Sequence, residues 1–295
     1  MDNPLQSYLN YLKFEKRYSE HTLSSYTSDL EQFIAFLAKY DQSDVTAVSH
    51  LDVRNWVVEM MEQKLSARTI NRKISVLKSL YKFMMQRGII ARTPMTKVQS
   101  PKMSKRLPVF VEKTGVERLV HQVEYPDGYE GALHKIIIEL LYGTGMRRSE
   151  LASLKQSDID PYNLQIKVTG KGNKQRIIPI HPNLSKAVLE YTMLREQSFP
   201  TYKGGNLLLS EDGLPIKHHF IYTTVKKYLD LVTTVNKRSP HVLRHTFATH
   251  LMNNGADINA VKELLGHSSL AATQVYTHNT IDKLKDVYKR AHPKA

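Results

Sequence analysis

The chain has 295 residues, which allows one large or two medium domains. Its 41% hydrophobic and 24% charged residues are typical of a globular protein. Lysine and arginine outnumber aspartate and glutamate by 42 to 28, and the resulting formal net charge of +14 favours a polyanionic partner. Cysteine is absent, which excludes disulfides, thiolate nucleophiles and cysteine-bound zinc.

The sequence shows no signal for secretion or membrane insertion. The start, Met1-Asp2-Asn3-Pro4, has neither the basic nor the apolar segment of a secretion signal. The longest apolar runs, such as Ile136-Ile137-Ile138, fall far short of the ~20 residues that span a bilayer. We therefore expect a cytoplasmic protein without a membrane partner, and the lack of cysteine agrees with a reducing compartment.

The N-terminal third predicts a small helical domain. Ser19, Ser49 and Ser66 stand where helix N-caps are expected, and Ser49 with Asp52 has the spacing of a capping box. Gly88 is expected to end the last helix. The helices are expected over residues 3–17, 19–39, from 49 onward, and 67–87.

A run of basic residues without any acidic residue separates Glu62 from Glu112. A solvated helix face usually carries both signs, so this run favours a surface that faces phosphates. Arg68, Arg72 and Ser75 share the side of their helix opposite its expected apolar stripe. The members of this stripe are Ile70, Ile74, Leu77, Tyr81 and Met84. The residues expected to bind DNA are Arg68, Arg72, Lys73, Lys78, Lys102, Lys105 and Arg106.

The chain is expected to divide into two domains joined by a linker. Residues 98–107 carry proline and basic charge without periodicity, which is typical of a linker. Residues 1–97 would form the helical domain, and residues 108–295 would form a second domain of helices and strands.

The second domain contains a predicted β-hairpin. Alternating strands over 164–168 and 175–180 flank the glycine-rich connection from Thr169 to Lys174. Helices are expected near 112–123 and 131–142, and most of the chain beyond Pro182 is expected to be helical. The expected fold class is therefore mostly α with a small antiparallel β-sheet (α+β).

The segment from Gly143 to Glu150 reads Gly-Thr-Gly-Met-Arg-Arg-Ser-Glu and lies between two predicted helices. Its glycines allow close backbone approach and place Arg147 near a helix start. Glu150, three residues further on, could hold that guanidinium by a bidentate pair. Taken alone, the segment fits equally well an ordinary corner with surface arginines.

Ser239-Pro240-His241 predicts an N-cap and the first helical turn, which places His241 and Arg244 on one face. An anion at that helix start would also meet free backbone N–H groups. His241 and His245 have the spacing of a zinc-binding helix, but the catalytic glutamate and a third ligand are missing from the pattern. We therefore expect no metal site, and we assign the pair His218-His219 to the surface.

His267 follows Gly266 at the end of a predicted helix, a position typical of a histidine that complements the helix dipole. Tyr276 is one of sixteen tyrosines and by itself fits a half-buried aromatic side chain. A tyrosine hydroxyl can attack phosphorus, and nearby cations can neutralise the charge that develops there. The combination of these residues, rather than any one of them, points to phosphodiester chemistry.

Taken in chain order, the segment from Gly143, the hairpin, the helix start at His241 and the residues His267 and Tyr276 resemble the tyrosine recombinase (phage integrase) family. The resemblance runs along nearly the whole chain. The glycine at position 143 is a mild departure, since alanine is commoner there in the family. The hairpin and the ending His292-Pro293-Lys294-Ala295 are most similar to the Xer subgroup. The catalytic residues that the resemblance implies are Arg147, Lys171, His241, Arg244, His267 and Tyr276.

The resemblance implies DNA strand exchange through a 3′-phosphotyrosine, without metal, ATP or other cofactor. Tyr276 would attack the scissile phosphate, which Arg147 and Arg244 would bind. Lys171 would protonate the leaving 5′-oxygen, and His241 would accept a proton. A helical core-binding domain and a mixed α/β catalytic domain would close around duplex DNA.

The resemblance also implies a homo- or hetero-tetramer on DNA, in which the segment from Ile281 docks on a neighbour and Tyr288 serves packing. The expected role is resolution of chromosome dimers through a Holliday junction, with a second Xer-type recombinase and a septal DNA translocase as expected partners. The alternatives are an integrase of a phage or conjugative element, a type IB topoisomerase, or a DNA-binding protein with a decayed site. The chain begins directly in the core-binding helices, which favours the simple recombinase.

Overall fold

The computed structural model describes residues 3–42, 44–103, 109–234, 238–266 and 278–293. The chain divides into two compact units, Met1–Arg106 and Leu107–Ala295, and each unit has its own hydrophobic core. The boundary between them falls inside the stretch expected to be the linker.

The described part of the N-terminal unit consists of four α-helices, a π-helical turn and a short 3-10 helix. Ser19 and Ser66 each accept the backbone N–H three residues on, and Ser49 forms the expected capping box with Asp52. The first helix departs from expectation, since it passes into a π-helical turn at Tyr11–Glu15. The α-helices are Pro4–Asn10 (α1), Glu20–Ala38 (α2), His50–Glu62 (α3) and Ala67–Gln86 (α4).

The apolar faces of these helices meet in one core. The rings of Phe33 and Trp56 lie 4.8 Å apart, and the buried Tyr81 hydroxyl donates to the Val45 carbonyl at 3.2 Å. The apolar stripe predicted on α4 is confirmed, because its members are buried: Ile70, Ile74, Leu77, Tyr81 and Met84. The opposite side of α4, with Arg68, is exposed.

A buried ion pair joins α2 to α4. The Lys73 ammonium donates to Asp29 Oδ1 at 2.8 Å and to Gln32 Oε1 at 2.7 Å, and the lysine side chain is only 3% exposed. Arg72, which is half exposed, pairs with the other oxygen of Asp29. The expectation that Lys73 contacts DNA is therefore wrong, because its charge is buried and already neutralised.

The second unit surrounds one buried helix. Its described helices are Lys113–His121 (α5), Gly128–Thr144 (α6), Arg148–Ala152 (α7), Pro182–Ser198 (α8), His218–Val232 (α9), Pro240–Asn253 (α10), Ile258–Leu265 (α11) and His278–Ala291 (α12). α6 is apolar on nearly all sides, which predicts a central position. It packs against α5, α7, α8, α9 and α10.

The expected hairpin is confirmed as part of a three-stranded antiparallel sheet. Its strands are Ile159–Asp160 (β1), Gln165–Thr169 (β2) and Gln175–Pro179 (β3), in the order β1-β2-β3. The register pairs Ile166 with Ile178 and Val168 with Arg176. These four side chains are all buried, so Arg176 occupies an inward position among apolar residues.

The last helix, α12, packs on its own chain, against α10, α11 and β3. Tyr288 is buried; its hydroxyl donates to the Gly143 carbonyl at 2.7 Å, and its ring stacks on His292 at 4.7 Å. The packing role expected of Tyr288 is confirmed. In this structure α12 packs on the core of its own chain. The docking of the segment from Ile281 on a neighbour stays a prediction.

The expected fold class, mostly α with a small antiparallel sheet, is confirmed. Helices supply most of both described cores, and the sheet adds its inward face to the second one. Within the described ranges, no helix is both long and apolar enough to cross a membrane.

We predict that Asp29→Asn destabilises the N-terminal unit by about 3–5 kcal/mol, because it leaves the Lys73 charge buried without its counter-ion. Urea unfolding followed by the fluorescence of Trp56, the single tryptophan of the chain, measures this unit specifically. Glu59→Gln is the control, since it removes the partly exposed pair with Lys39 and should cost less than about 1 kcal/mol. Equal losses in the two variants would contradict a structural role for the buried pair.

Candidate functional site

The turn after α6 places Arg147 at the start of α7. Gly145 ends α6 in the left-handed conformation, with φ of 60°, and donates its N–H to the Leu141 carbonyl. A Cβ at Gly145 would lie 2.4 Å from Phe247 Cδ1, so both the conformation and the space require glycine. Arg147 then takes the N-cap position of α7, and its backbone N–H donates to Glu150 Oε2 at 2.7 Å.

The Arg147 guanidinium is fixed along one edge. Its Nη1 donates to Glu150 Oε1 at 2.8 Å, and its Nη2 donates to the Gly266 carbonyl at 3.1 Å. The side chain remains 36% exposed. A guanidinium has five N–H donors, so donors remain for an anion on the open side.

Arg244 enters the same region from α10. Its Nη1 donates to the Gly145 carbonyl and its Nη2 to the Leu265 carbonyl, both at 2.6 Å. Burial, followed by the charges of Arg147 and Arg176, lowers its pKa to about 10. The guanidinium therefore stays positive at neutral pH, and its orientation is set by two backbone carbonyls.

Glu150 holds two arginines rather than one. The expected bidentate partner is Arg147, but the structure gives the bidentate pair to Arg176, whose Nη1 and Nη2 donate to the two carboxylate oxygens at 2.9 and 2.8 Å. Burial alone would raise the pKa of Glu150, but the hydrogen bonds and charge of Arg176, followed by the hydrogen bonds of Arg147, lower it to about 2. The carboxylate is thus ionised throughout the physiological range.

Arg176 is the site residue that the motifs do not include. It is buried on the inward face of β3, where an alternating strand would normally carry an apolar side chain. The sequence does contain a signal for it: Arg176 is in phase with Ile178 and Ile180, the buried positions of the predicted strand. A charged residue in a buried phase needs a partner, and Glu150 is that partner.

The three arginines meet at the carboxyl end of α11. Consecutive carbonyls accept from them: Leu264 from Arg176 Nε at 2.8 Å, Leu265 from Arg244 Nη2 at 2.6 Å, and Gly266 from Arg147 Nη2 at 3.1 Å. The last carbonyls of a helix have no partner inside the helix and lie at its negative pole. The carboxyl end of α11 therefore binds and orients all three guanidiniums.

His241 lies in the first turn of α10, after Ser239 at the N-cap and Pro240 at N1, as expected. Its side chain is exposed, whereas Arg244 on the same face is buried. Partial desolvation, followed by the charges of Arg244, Arg148 and Arg147, lowers the pKa of His241. The imidazole is therefore neutral at neutral pH and can accept a proton.

The β2–β3 hairpin loop begins beside Glu150. Gly170 donates its N–H to the Lys174 carbonyl at 2.8 Å, which closes the loop, and Lys171–Asn173 form a 3-10 turn within it. A Cβ at Gly170 would lie 3.2 Å from Glu150 Oε1, so the loop approaches the carboxylate closely. The backbone of Lys171 follows directly, and its side chain is outside what the structure describes.

Two of the expected catalytic residues, His267 and Tyr276, lie outside the described residues. The described site thus brings together Arg147, Glu150 and Arg244, with His241 at its edge. Within the described residues, no three His, Asp or Glu side chains are grouped as they would be around a metal ion.

The expected DNA-binding residues lie in the N-terminal unit. Arg68, Arg72, Lys78 and Lys102 are exposed, Lys73 is buried as described above, and Lys105 and Arg106 fall outside the described residues. Arg68, Arg72, Ser75 and Lys78 follow one another along a single face of α4. This face carries only positive charge, because α4 has no acidic residue.

Family models match both units. Residues 5–88 match the phage integrase N-terminal SAM-like domain, and residues 110–283 match the phage integrase family. A tyrosine recombinase XerC from Listeria innocua is 40% identical over 291 residues, which cover 98% of this chain and 97% of the relative. The XerC of Staphylococcus saprophyticus is 39% identical over 298 residues, which cover 100% and 99%.

Solved structures show the same fold. XerH site-specific recombinase, bound to palindromic difH DNA in a post-cleavage complex, has a TM-score of 0.74 at 22% identity, covering 97% of this chain and 88% of that one. The integrase of transposon Tn1549, bound to transposon right end DNA, has a TM-score of 0.71 at 22% identity, covering 96% and 98%. The chain therefore belongs to the phage integrase family and is a tyrosine recombinase, an enzyme that transfers DNA strands.

Proposed function

We propose that this enzyme recombines duplex DNA at a specific chromosomal site, cutting and rejoining strands through a 3′-phosphotyrosine and a Holliday junction, and thereby resolves chromosome dimers. The observation that carries the proposal is the convergence of Arg147 and Arg244 on adjacent carbonyls of one helix end. Two fixed guanidiniums with free donors suit the nonbridging oxygens of one phosphodiester. No P-loop or nucleotide-binding motif is needed for this chemistry.

The proposed reaction conserves the energy of the phosphodiester. The Tyr276 oxygen forms a bond to phosphorus while the bond from phosphorus to the 5′-oxygen breaks. His241 accepts the phenolic proton, Lys171 protonates the departing 5′-oxygen, and His267 hydrogen-bonds the phosphate. The products are a 3′-phosphotyrosine and a free 5′-hydroxyl, so attack by a different 5′-hydroxyl joins a new strand without ATP.

The electrostatics of the described residues support these roles. A tyrosine with an ordinary pKa of ~10 needs a proton acceptor, and the lowered pKa of His241 keeps that imidazole in the accepting form. Charge develops on the phosphate oxygens in the transition state, and oriented guanidiniums stabilise it without reorganising. Glu150 is ionised and keeps Arg147 oriented, but it does not contact the reacting phosphate.

We further propose that four subunits assemble on two DNA sites, with a second Xer-type recombinase and a septal DNA translocase as partners. The near-complete coverage of XerC relatives supports a chromosomal role over an element-encoded integrase or a type IB topoisomerase. Incubating the protein with the host's candidate chromosomal site and with a scrambled duplex, and then mapping covalent attachment, tests the proposal. Attachment to both duplexes alike would contradict site specificity.

Tyr276→Phe is expected to bind the site with unchanged affinity but to form no covalent adduct on a nicked suicide substrate, because the nucleophilic oxygen is gone. Denaturing gels that separate protein–DNA adducts give the measurement. Tyr162→Phe is the control, since that side chain is 93% exposed in the turn between β1 and β2. A persistent adduct in Tyr276→Phe would assign the nucleophile to another residue.

Lys171→Ala is expected to slow cleavage of ordinary DNA by about 10²–10⁴-fold, as loss of a general acid does. A substrate with sulfur at the 5′-bridging position should restore the rate, because sulfur leaves without a proton. Lys174→Ala, from the same hairpin, should cleave both substrates like the parent protein. If the sulfur substrate is cleaved as slowly as the oxygen one, Lys171 is not the general acid.

Replacing Arg68 and Arg72 by Gln is expected to weaken DNA binding and to flatten its salt dependence. Each lost phosphate contact reduces the slope of log K against log salt by about 0.9. Fluorescence anisotropy across a salt series measures both quantities. Lys39→Gln with Arg54→Gln, two exposed cations elsewhere in the unit, is the control. Equal slopes of log K against log salt in the two double variants would mean that the DNA-binding surface lies elsewhere than on α4.

A further inference from the structure

Arg176 is a buried cation that the chemistry described above does not use. It is 5% exposed and lies opposite Val168 on the inward face of the sheet. Burial of a guanidinium is unfavourable unless its donors are satisfied and its charge is paired. Its contacts therefore show what the site gains from placing an arginine at this position.

Arg176 joins three parts of the second unit. From β3, its Nη1 and Nη2 donate to Glu150 of α7 at 2.9 and 2.8 Å, and its Nε donates to the Leu264 carbonyl of α11 at 2.8 Å. Three directed hydrogen bonds from one planar group set the distance between the start of α7 and the end of α11. A lysine has a single nitrogen and cannot reproduce this pattern.

Both anchors of Arg147 depend on groups that Arg176 holds. The first is Glu150, each oxygen of which accepts one bond from Arg147 and one from Arg176. The second is the Gly266 carbonyl, two residues beyond the carbonyl that Arg176 binds. Without Arg176, the carboxylate would lose two of these four hydrogen bonds while remaining buried.

The same pair lies under the hairpin loop. A Cβ on Gly170 would be 3.2 Å from Glu150 Oε1 and 3.9 Å from Arg176 Nη1, so the loop rests against the ion pair. Lys171 is the next residue along this loop. The Glu150–Arg176 pair thus lies close to the base of the segment that carries the proposed general acid.

We propose that Arg176 is a positioning residue for strand cleavage: it fixes Glu150 and the end of α11, and through them it orients Arg147 toward the scissile phosphate. It does not touch the DNA. This inference rests on the proposed function of Arg147 in phosphate binding, and it extends the catalytic machinery to a residue of β3.

The test compares Arg176→Met and Arg176→Lys with the parent protein on the suicide substrate. At saturating DNA, the single-turnover rate of adduct formation should fall by about 10–100-fold, because small displacements of a positioning group have effects of this size. DNA affinity should change by less than about twofold, since Arg176 makes no DNA contact. Arg176→Lys should not restore the rate, because charge alone cannot replace the three directed bonds.

Arg195→Met is the matched control. Arg195 is also 5% exposed and donates to the carbonyls of Asn206 and Leu207 and to Gln156, away from Arg147. Its loss should reduce thermal stability as much as the loss of Arg176, while the cleavage rate of the folded protein stays unchanged. Equal slowing in Arg195→Met, or a parental rate in Arg176→Met, would overturn the positioning role. If Arg176→Met does not fold, the adduct-formation rate and the DNA affinity of Arg176→Lys provide the same test.

A DNA-free crystal structure of the Arg176 variant separates this proposal from the proposed function. Arg147 should no longer contact Glu150 and the Gly266 carbonyl together, and an unchanged Arg147 would overturn the proposal whatever the activity. If the parent protein forms no adduct while Arg147 shifts in the variant, the recombination reaction is wrong and the positioning role stands.

Discussion

The described site depends on the carboxyl end of one eight-residue helix, α11, whose last carbonyls each bind a different arginine. Three guanidiniums this close repel one another, and partial burial strengthens the repulsion. Two negative elements offset it: the pole of the helix and the buried Glu150 carboxylate. Because neither neutralises the site completely, positive charge remains on the open side of Arg147, where the proposed phosphate would bind.

This arrangement constrains segments that are far apart in the chain. The turn after α6 needs glycine at 145 because Phe247 of α10 occupies the space of a side chain, and the same turn offers its carbonyl to Arg244. Gly266 ends α11 in the left-handed conformation, and a Cβ added to it would lie 3.1 Å from Arg176 Cδ. The two glycines therefore allow close packing at the site: Gly145 leaves room for Phe247, and Gly266 leaves room for Arg176.

Much of the fold follows from local patterns, because caps and periodic apolar positions act over a few residues. The Ser49 capping box, the α4 stripe and the hairpin illustrate this. A count of charges could not predict the role of Lys73. This residue lies three residues after Ile70, beside the core stripe, and therefore pairs with the buried Asp29 instead of a phosphate. The motifs could not predict the site role of Arg176, because its partners lie on α7 and α11 and come together only in the folded chain.

The packing of α12 on its own chain has a consequence for assembly. A segment tethered to its docking surface competes with any other occupant at an effective concentration of about millimolar. The buried Tyr288 hydroxyl and its bond to Gly143 add to the cost of release. Release of α12 from the core of its own chain is therefore unfavourable unless a competing surface is present at a comparable concentration. In the proposed assembly, a shared duplex would hold neighbouring subunits at the high local concentration that exchange of this helix requires.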